Sequence, residues 1–283
     1  MKPKLIIAAT GLDGLIGSRI NTLLKNDFEF INIPESSMDI TDKDKVNEII
    51  GETNFDIFLH LAAYTDVDSA ESKQEVVWKI NVDGTKNIFE AVEEKGKKMV
   101  FISTGFVFDG EHPPYYEDST RNPISFYGKT KYEGEKIVEG RGMIIRLDYP
   151  YGGKVSYKKD IVESIVSGLK QGKEIKGIID QYFTPTLIDD VAYAVKYLFS
   201  NFSRKIFHIV GADSLTGYDI IHTICKVYGF NKDLIGKTTY SEFYKDKALR
   251  PKNSILKSKG NHFYTMKSFE EGLLYLKKML SHI

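Results

Sequence analysis

Leu5-Ile6-Ile7-Ala8-Ala9-Thr10-Gly11-Leu12-Asp13-Gly14-Leu15-Ile16-Gly17 passes from a continuous apolar run into a turn with three glycines at G-x-x-G-x-x-G spacing. An unbroken apolar run of this length, closed by Thr-Gly, has the pattern of a strand buried on both faces of a parallel sheet. Leu15, Ile16, Ile20, Leu23 and Leu24 then recur at helical intervals, which predicts a helix opening at the last glycine. Strand, glycine turn and helix N-terminus together make an anion cradle. Free amides and the positive end of the helix dipole converge where no Cβ blocks a pyrophosphate.

Working outward, the same alternation repeats. Phe28 to Ile33, Phe55 to Leu59, Met99 to Ile102 and Met143 to Ile145 read as further strands. Asp39-Ile40-Thr41-Asp42 reads as the cap of a helix through Val46, Ile49 and Ile50. One long helix is expected from about Gln74 to Lys95, and another from Phe126 to Glu139. No clear acidic residue closes the second strand to hold a ribose 2′-hydroxyl; Pro34-Glu35-Ser36-Ser37 stand in its place, open to a 2′-phosphate or to no contact. Arg19 reads as an exposed helix arginine or as a phosphate partner. The expected fold is α/β, a Rossmann-like doubly wound parallel sheet over residues 1–150. Beyond Pro150-Tyr151-Gly152-Gly153 the alternation becomes irregular, which predicts a smaller substrate lobe from 151–185 and 212–283. Residues 186–211, with a helical stretch Asp190 to Phe199 and a strand Ile206 to Val210, are expected to return to the sheet, so that the two lobes interleave. The chain should end in an amphipathic helix with Phe269, Leu273, Leu276 and Leu280 on one face.

Composition narrows the function classes. Lys+Arg and Asp+Glu number 39 each in 283 residues, so no net charge favours nucleic acid or an anionic membrane surface. The single cysteine, Cys225, sits in an apolar helical run and reads as a buried thiol. The first apolar run has strand length and does not resemble a signal peptide, and no stretch reaches the roughly 20 apolar residues of a membrane span. A cytoplasmic protein with a small polar ligand is the expectation. No histidine pair has the H-x-x-x-H spacing of a zinc site, and no serine occupies a G-x-S-x-G elbow, so neither a metal nor a serine nucleophile is expected.

The chemistry-bearing stretch lies around the fourth strand. Ser103-Thr104 places hydroxyls at its carboxyl end, and Tyr127 precedes Lys131 by four residues, a spacing that puts phenol and ammonium on one helix face. Tyr132 with Lys136 and Tyr228 with Lys232 share that spacing. Tyr132, however, is turned roughly 140° around the helix from Tyr127, and Tyr228 precedes Gly229 at an expected helix end. A phenol that ionises near 10 would need about 4 kcal/mol in favour of the phenolate to reach 7. One ammonium at about 4 Å supplies roughly that much at an effective dielectric of about 20. Thr104 is thus expected to hydrogen-bond a substrate carbonyl, Tyr127 to protonate it, and Lys131 to tune Tyr127 while holding a nicotinamide ribose.

Taken with these, several pieces carry a family likeness: Asp39-Ile40-Thr41-Asp42, Ala62-Ala63-Tyr64-Thr65-Asp66-Val67-Asp68, Asn81-Val82-x-Gly84-Thr85, Tyr127-Gly128-Lys129-Thr130-Lys131 and Arg250-Pro251-x-Asn253-Ser254-x-Leu256. The chain resembles the extended short-chain dehydrogenase/reductases, and within them the dTDP-4-dehydrorhamnose reductase group. The resemblance implies a dinucleotide, NADPH with NADH as the alternative, lying against Gly11, Asp13, Gly14, Leu15, Ile16, Gly17, Asp39, Ile40, Leu61, Ala62, Ala63 and Tyr64 besides Tyr127 and Lys131. It implies a nucleotide-linked 4-keto sugar against Thr65, Val67, Gly105, Phe106, Tyr149 and Arg250, and a homodimer as the assembly to consider. Three departures stand out. Thr104-Gly105-Phe106 replaces the family's usual Thr-Asp-Tyr, Arg146-Leu147-Asp148-Tyr149 replaces Arg-Thr-Ser-Trp, and Lys257 follows Leu256 where an Asp is common. The methionine adenosyltransferase regulatory subunit is similar to this group as well, so a non-catalytic NADP-binding subunit is the second expectation.

Overall fold

The computed structural model describes residues 3–153 and 159–280. Five strands, β1 Ile6–Thr10, β2 Glu29–Ile33, β3 Ile57–His60, β4 Lys98–Thr104 and β5 Met143–Leu147, join an edge strand Ile206–His208 in one sheet. All neighbours run parallel, in the order β2-β1-β3-β4-β5-edge. The helices are α1 Leu15–Leu24, α2 Lys43–Glu52, α3 Val67–Ser72, α4 Gln74–Trp78, α5 Gly84–Glu94, α6 Phe126–Val138, α7 Ile161–Lys170, α8 Ile188–Ser200 and α9 Gly217–Tyr228, followed by a short helix Tyr240–Phe243 and a last helix Phe269–Leu280.

The apolar runs are unbroken because both faces of the sheet are covered. Ile7, Ala9, Leu59, Ile102 and Ile145 point into a core with Ile20 and Leu24 of α1 and Val191, Val195 and Leu198 of α8. Their neighbours Ala8, Phe58, Phe101 and Ile144 point the other way, onto Val46 and Ile50 of α2, Ile88 and Val92 of α5 and Val138 of α6. This two-sided burial is the doubly wound arrangement expected from the sequence. Strand order reverses at β1, which opens a crevice at the carboxyl ends of β1 and β3.

A second apolar core gathers Tyr151, Val162, Leu169 and Phe183 with Ile220, Ile224 and Cys225 of α9 and Phe269 and Leu273 of the last helix. Short strand pairs brace it: Ile175–Ile178 with Ile235–Thr238, and Pro150–Tyr151 with Thr186–Leu187. Cys225 is buried there as a free thiol. Leu280, the fourth residue of the predicted apolar face, lies outside the residues whose side chains are described.

Two local expectations are corrected. The predicted continuous helix from Gln74 is interrupted by a π-helical turn, Lys79–Asp83, and is preceded by the separate α3, whose N-cap Asp66 accepts from the Ser69 amide. Arg19 is neither an exposed helix arginine nor a phosphate partner. Its guanidinium grips both oxygens of buried Asp189 at the start of α8, at 2.5 and 2.6 Å.

Candidate active site

A cleft of about 950 Å³ runs along the carboxyl ends of the strands. Its floor begins at the glycine turn. A Cβ on Gly11 would stand 2.9 Å from the Ala62 amide nitrogen, one on Gly17 would stand 2.6 Å from the Leu12 Cα and collide with the Gly11 carbonyl, and Gly11 takes φ +67°. The start of α1 therefore packs directly on Gly11 and Leu12, and Gly11 on the loop after β3. Gly14 caps α1 without a side-chain hydrogen bond, and the first turn of α1 carries no acidic residue. The first amides of α1 are left for an external acceptor, which suits a pyrophosphate. Gly11, Asp13, Gly14, Leu15, Ile16 and Gly17 line this end, with Asp39, Ile40, Leu61, Ala62, Ala63 and Tyr64. Glu35 and Met38, which sequence reasoning left open or missed, complete it beyond β2.

The far end of the cleft holds Thr104, Phe106, Tyr127, Lys131 and Tyr149, with Thr65 and, at the start of α3, Val67. Thr104 ends β4 and accepts from the Phe106 amide at 3.3 Å, turning the chain into a single 3-10 turn, Gly105–Val107. Ser125 caps α6 by accepting from the Gly128 amide at 3.1 Å. Gly128 lets α6 sit on the Phe106 carbonyl, where a side chain would collide. These contacts bring the hydroxyl of β4 and the first turn of α6 together. Phe106 then meets the Tyr127 ring edge-on at 5.6 Å and Tyr149 at 6.2 Å. The other two Tyr-Lys pairs lie elsewhere: Tyr132 packs under Arg121 and Lys136, and Tyr228 ends α9 before Gly229.

Burial pushes the Tyr127 phenol up to about 12, and the Thr104 hydroxyl beside it only partly offsets that. Burial lowers the Lys131 ammonium to about 7, with the Glu135 carboxylate acting in the opposite sense. Lys131 donates to the Ile102 carbonyl at 2.9 Å and lies 4.1 Å from the centre of the Phe101 ring. The expected tuning of the phenol by Lys131 is therefore not the arrangement in this structure. Desolvation outweighs any attraction, and the phenol stays in its proton-bearing form at neutral pH.

Two predicted substrate residues are outside the cleft lining. Gly105 is buried, and a Cβ there would point at Asp148 and Ser254. Arg250 donates to Asp68 at 2.8 Å and to the Ala248 carbonyl at 2.8 Å, and stacks 4.7 Å from the Tyr244 ring centre. Its guanidinium is spent on joining the loop 246–250 to α3. Conversely, Lys159, Asp160 and Ile161 at the head of α7 line the cleft and were not anticipated. Asp160 caps α7 by accepting from the Glu163 amide at 2.8 Å and also holds the Gly152 amide at 2.7 Å. An N-cap Asp was the only signal available for it.

Comparison with known proteins agrees with this geometry. A dTDP-4-dehydrorhamnose reductase from Sinorhizobium fredii is 30% identical over 233 residues, covering 78% of each chain. The crystal structure of dTDP-4-dehydrorhamnose reductase from Bacillus anthracis in complex with NADP superposes with a TM-score of 0.91 at 28% identity, over 98% of this chain and 100% of that one. Methionine adenosyltransferase 2 subunit beta from Bos taurus is 26% identical over 272 residues, covering 90% of this chain and 80% of its own. The model of the RmlD substrate binding domain matches residues 5–281. With a glycine-cradled cleft, a parallel doubly wound sheet and a match over nearly its whole length, the chain belongs to the RmlD substrate binding domain family, within the extended short-chain dehydrogenase/reductases.

Proposed function

We propose that the protein is an NAD(P)H-dependent reductase of a nucleotide-linked 4-keto sugar, NADPH being the first choice of cofactor and a dTDP-4-dehydrorhamnose-like sugar the nearest substrate. The observation that carries the reading is that Thr104, Tyr127 and Lys131 line the same cleft as the glycine turn. Gly11, Gly14, Gly17 and the open amides of α1 suit the pyrophosphate, and Leu61 to Tyr64 suit the nicotinamide half. The dinucleotide supplies the hydride when bound. The chain's own part is acid catalysis and orientation. Thr104 fixes the carbonyl oxygen by hydrogen bonding, and Tyr127, held in its protonated form by burial, delivers a proton to that oxygen as negative charge develops there. Lys131, with its ammonium near neutrality, refills the phenol or anchors a ribose hydroxyl. Phe106 and Tyr149 wall the sugar side and exclude water.

The test is NADPH oxidation against a panel of dTDP-, UDP- and GDP-linked 4-keto sugars. Turnover of one of them is expected. Silence across the panel with tight NADPH binding would overturn the catalytic reading. It would favour a dinucleotide-binding regulatory subunit, the second reading, which the likeness to methionine adenosyltransferase 2 subunit beta supports.

A further inference from the structure

Tyr149 is the only non-glycine residue with positive φ among the described residues, at +39°. An aromatic residue seldom takes this conformation unless its surroundings hold it there. What surrounds it is a carboxyl group. Asp148, one residue earlier and 1% exposed, accepts from the Ser254 hydroxyl with Oδ1 and from the Thr184 amide with Oδ2, each at 2.9 Å. Thr184 in turn donates its hydroxyl to the Ser254 carbonyl at 2.8 Å, and the Thr186 amide donates to the Tyr149 carbonyl at 3.2 Å. Three chain segments thus meet on one carboxyl group: the end of β5, the stretch 183–186 and the stretch 253–256. The space for it exists because residue 105 is glycine. A Cβ there would lie 2.8 Å from Asp148 Oδ1 and 2.9 Å from Ser254 Oγ, inside the very hydrogen bond that joins them.

We propose that Asp148 is a positioning residue for the reductase reaction: seated in the space left by Gly105, it clamps Thr184 and Ser254 to the end of β5 and thereby holds Tyr149 in its left-handed conformation as the sugar-side wall of the cleft. Its effect on turnover rests on the keto-sugar reading given above; its effect on Tyr149 does not. Asp148 touches neither the cleft nor Tyr127, so it acts through Tyr149, which packs on Phe106 at 6.2 Å and on Phe183 at 4.2 Å. Substrate fit should depend on the clamp, while dinucleotide binding at the glycine turn and proton delivery from Tyr127 should not.

The experiment compares Asp148→Ala, Ser254→Ala, Gly105→Ala and the double variant Gly105→Ala/Asp148→Ala, using the keto sugar that the wild type reduces. Losing the hydrogen bonds to this carboxyl group should raise the KM for the sugar about tenfold in Asp148→Ala and less in Ser254→Ala. The kcat and the NADPH dissociation constant should stay nearly unchanged. Gly105→Ala should raise KM in the same way, and the double variant should add little to either single one, because both disrupt the same contact. A folded Asp148→Ala or Ser254→Ala with wild-type KM, or a loss confined to kcat, overturns the clamp. Ser254→Ala removes one hydroxyl only and decides the matter if Asp148→Ala does not fold. A crystal structure of Asp148→Ala gives an arm free of substrate identity: Tyr149 should leave positive φ, and its staying near +39° refutes the proposal. If the wild type reduces no sugar nucleotide, the functional reading fails and this structural arm still judges the clamp.

Discussion

Tyr127 is the residue on which the proposed reduction turns, and the burial of its phenol bears on the direction of proton transfer proposed for it. A phenol raised to about 12 by burial carries its proton throughout the neutral range, which suits an acid that protonates a developing alkoxide. Replacing it with phenylalanine should lower kcat by about 10²–10⁴-fold, the usual yield of a positioned acid. Calorimetric NADPH affinity should stay nearly the same, because the glycine turn is untouched; equal turnover in Tyr127→Phe would refute the assignment. At this scale the sequence was informative about Thr104, Tyr127 and Lys131, since spacing on one helix and the end of one apolar run are local facts. It was less informative about Gly105 and Asp148. Read along the chain, they are separate departures from a family pattern, a carboxylate lost at 105 and one gained at 148. In space they are one departure, because the carboxyl of Asp148 fills the volume that a side chain at 105 would take. Arg250 shows the same limit, as its partner Asp68 lies 182 residues away.

The element that ties the two ends of the cleft together is the π-helical turn Lys79–Asp83 between α4 and α5. Such turns persist where a side chain compensates for the disturbed helical ladder. Here Asn81 does so: its carbonyl oxygen accepts from the Tyr64 amide at 2.8 Å, while its amide donates to the Tyr64 carbonyl at 3.1 Å and to Thr130 Oγ1 at 3.0 Å. Tyr64 lines the cleft after β3, and Thr130 belongs to the helix that carries Tyr127. Asn81→Asp keeps the shape but puts an acceptor against the Tyr64 carbonyl. It should cost about 2–3 kcal/mol of stability, the usual cost of buried groups left without partners, and should weaken NADPH binding as the 61–65 loop loosens. Urea denaturation and calorimetry would check both; stability and affinity equal to wild type would show that the turn is not a brace. Helical periodicity from Gln74 to Lys95 hid this turn, because one inserted residue barely disturbs an apolar pattern and the compensating bonds are tertiary. By contrast, α2 and α6 were legible nearly to the residue, for each begins at a side chain, Asp42 or Ser125, that caps it locally.

Across the whole molecule, polar groups buried between layers make stability depend on pH, and the histidines set the acid side. His60, at the end of β3, is fully buried; burial and the nearby Lys131 ammonium lower it to about 3. Thr10 Oγ1 lies 2.7 Å from one ring nitrogen and Thr85 Oγ1 3.2 Å from the other. Since the Thr85 hydroxyl already donates to the Asn81 carbonyl at 2.7 Å, Thr85 accepts from Nε2–H and Thr10 donates to Nδ1, so the neutral ring is satisfied on both sides. His208, lowered to about 4 by burial and by the Arg146 guanidinium, accepts from Arg146 through Nε2 at 3.1 Å and donates through Nδ1 to the Lys257 carbonyl at 2.8 Å. Arg146 is itself fully buried in a two-pronged pair with Glu135, at 2.8 and 2.7 Å. Between pH about 6.5 and these lowered values the unfolded chain holds protons on both rings and the native chain on neither, so stability present near neutrality is lost on acidification, at about 1.4 kcal/mol per unit for each ring. Asp148 works the other way: raised to about 8 by burial, it binds its proton in the native state from the usual carboxylate range upward, and so offsets one of the two histidines over part of that interval. Between pH 6 and 5 the slope should therefore be smaller in His208→Gln than in wild type by about 1.4 kcal/mol per unit, because its amide can accept from Arg146 and donate to Lys257 without titrating. Chemical denaturation at half-unit steps of pH would measure it. Parallel curves for wild type and His208→Gln would mean that His208 titrates alike in the folded and unfolded chains, and that burial beside Arg146 exerts no such hold upon it.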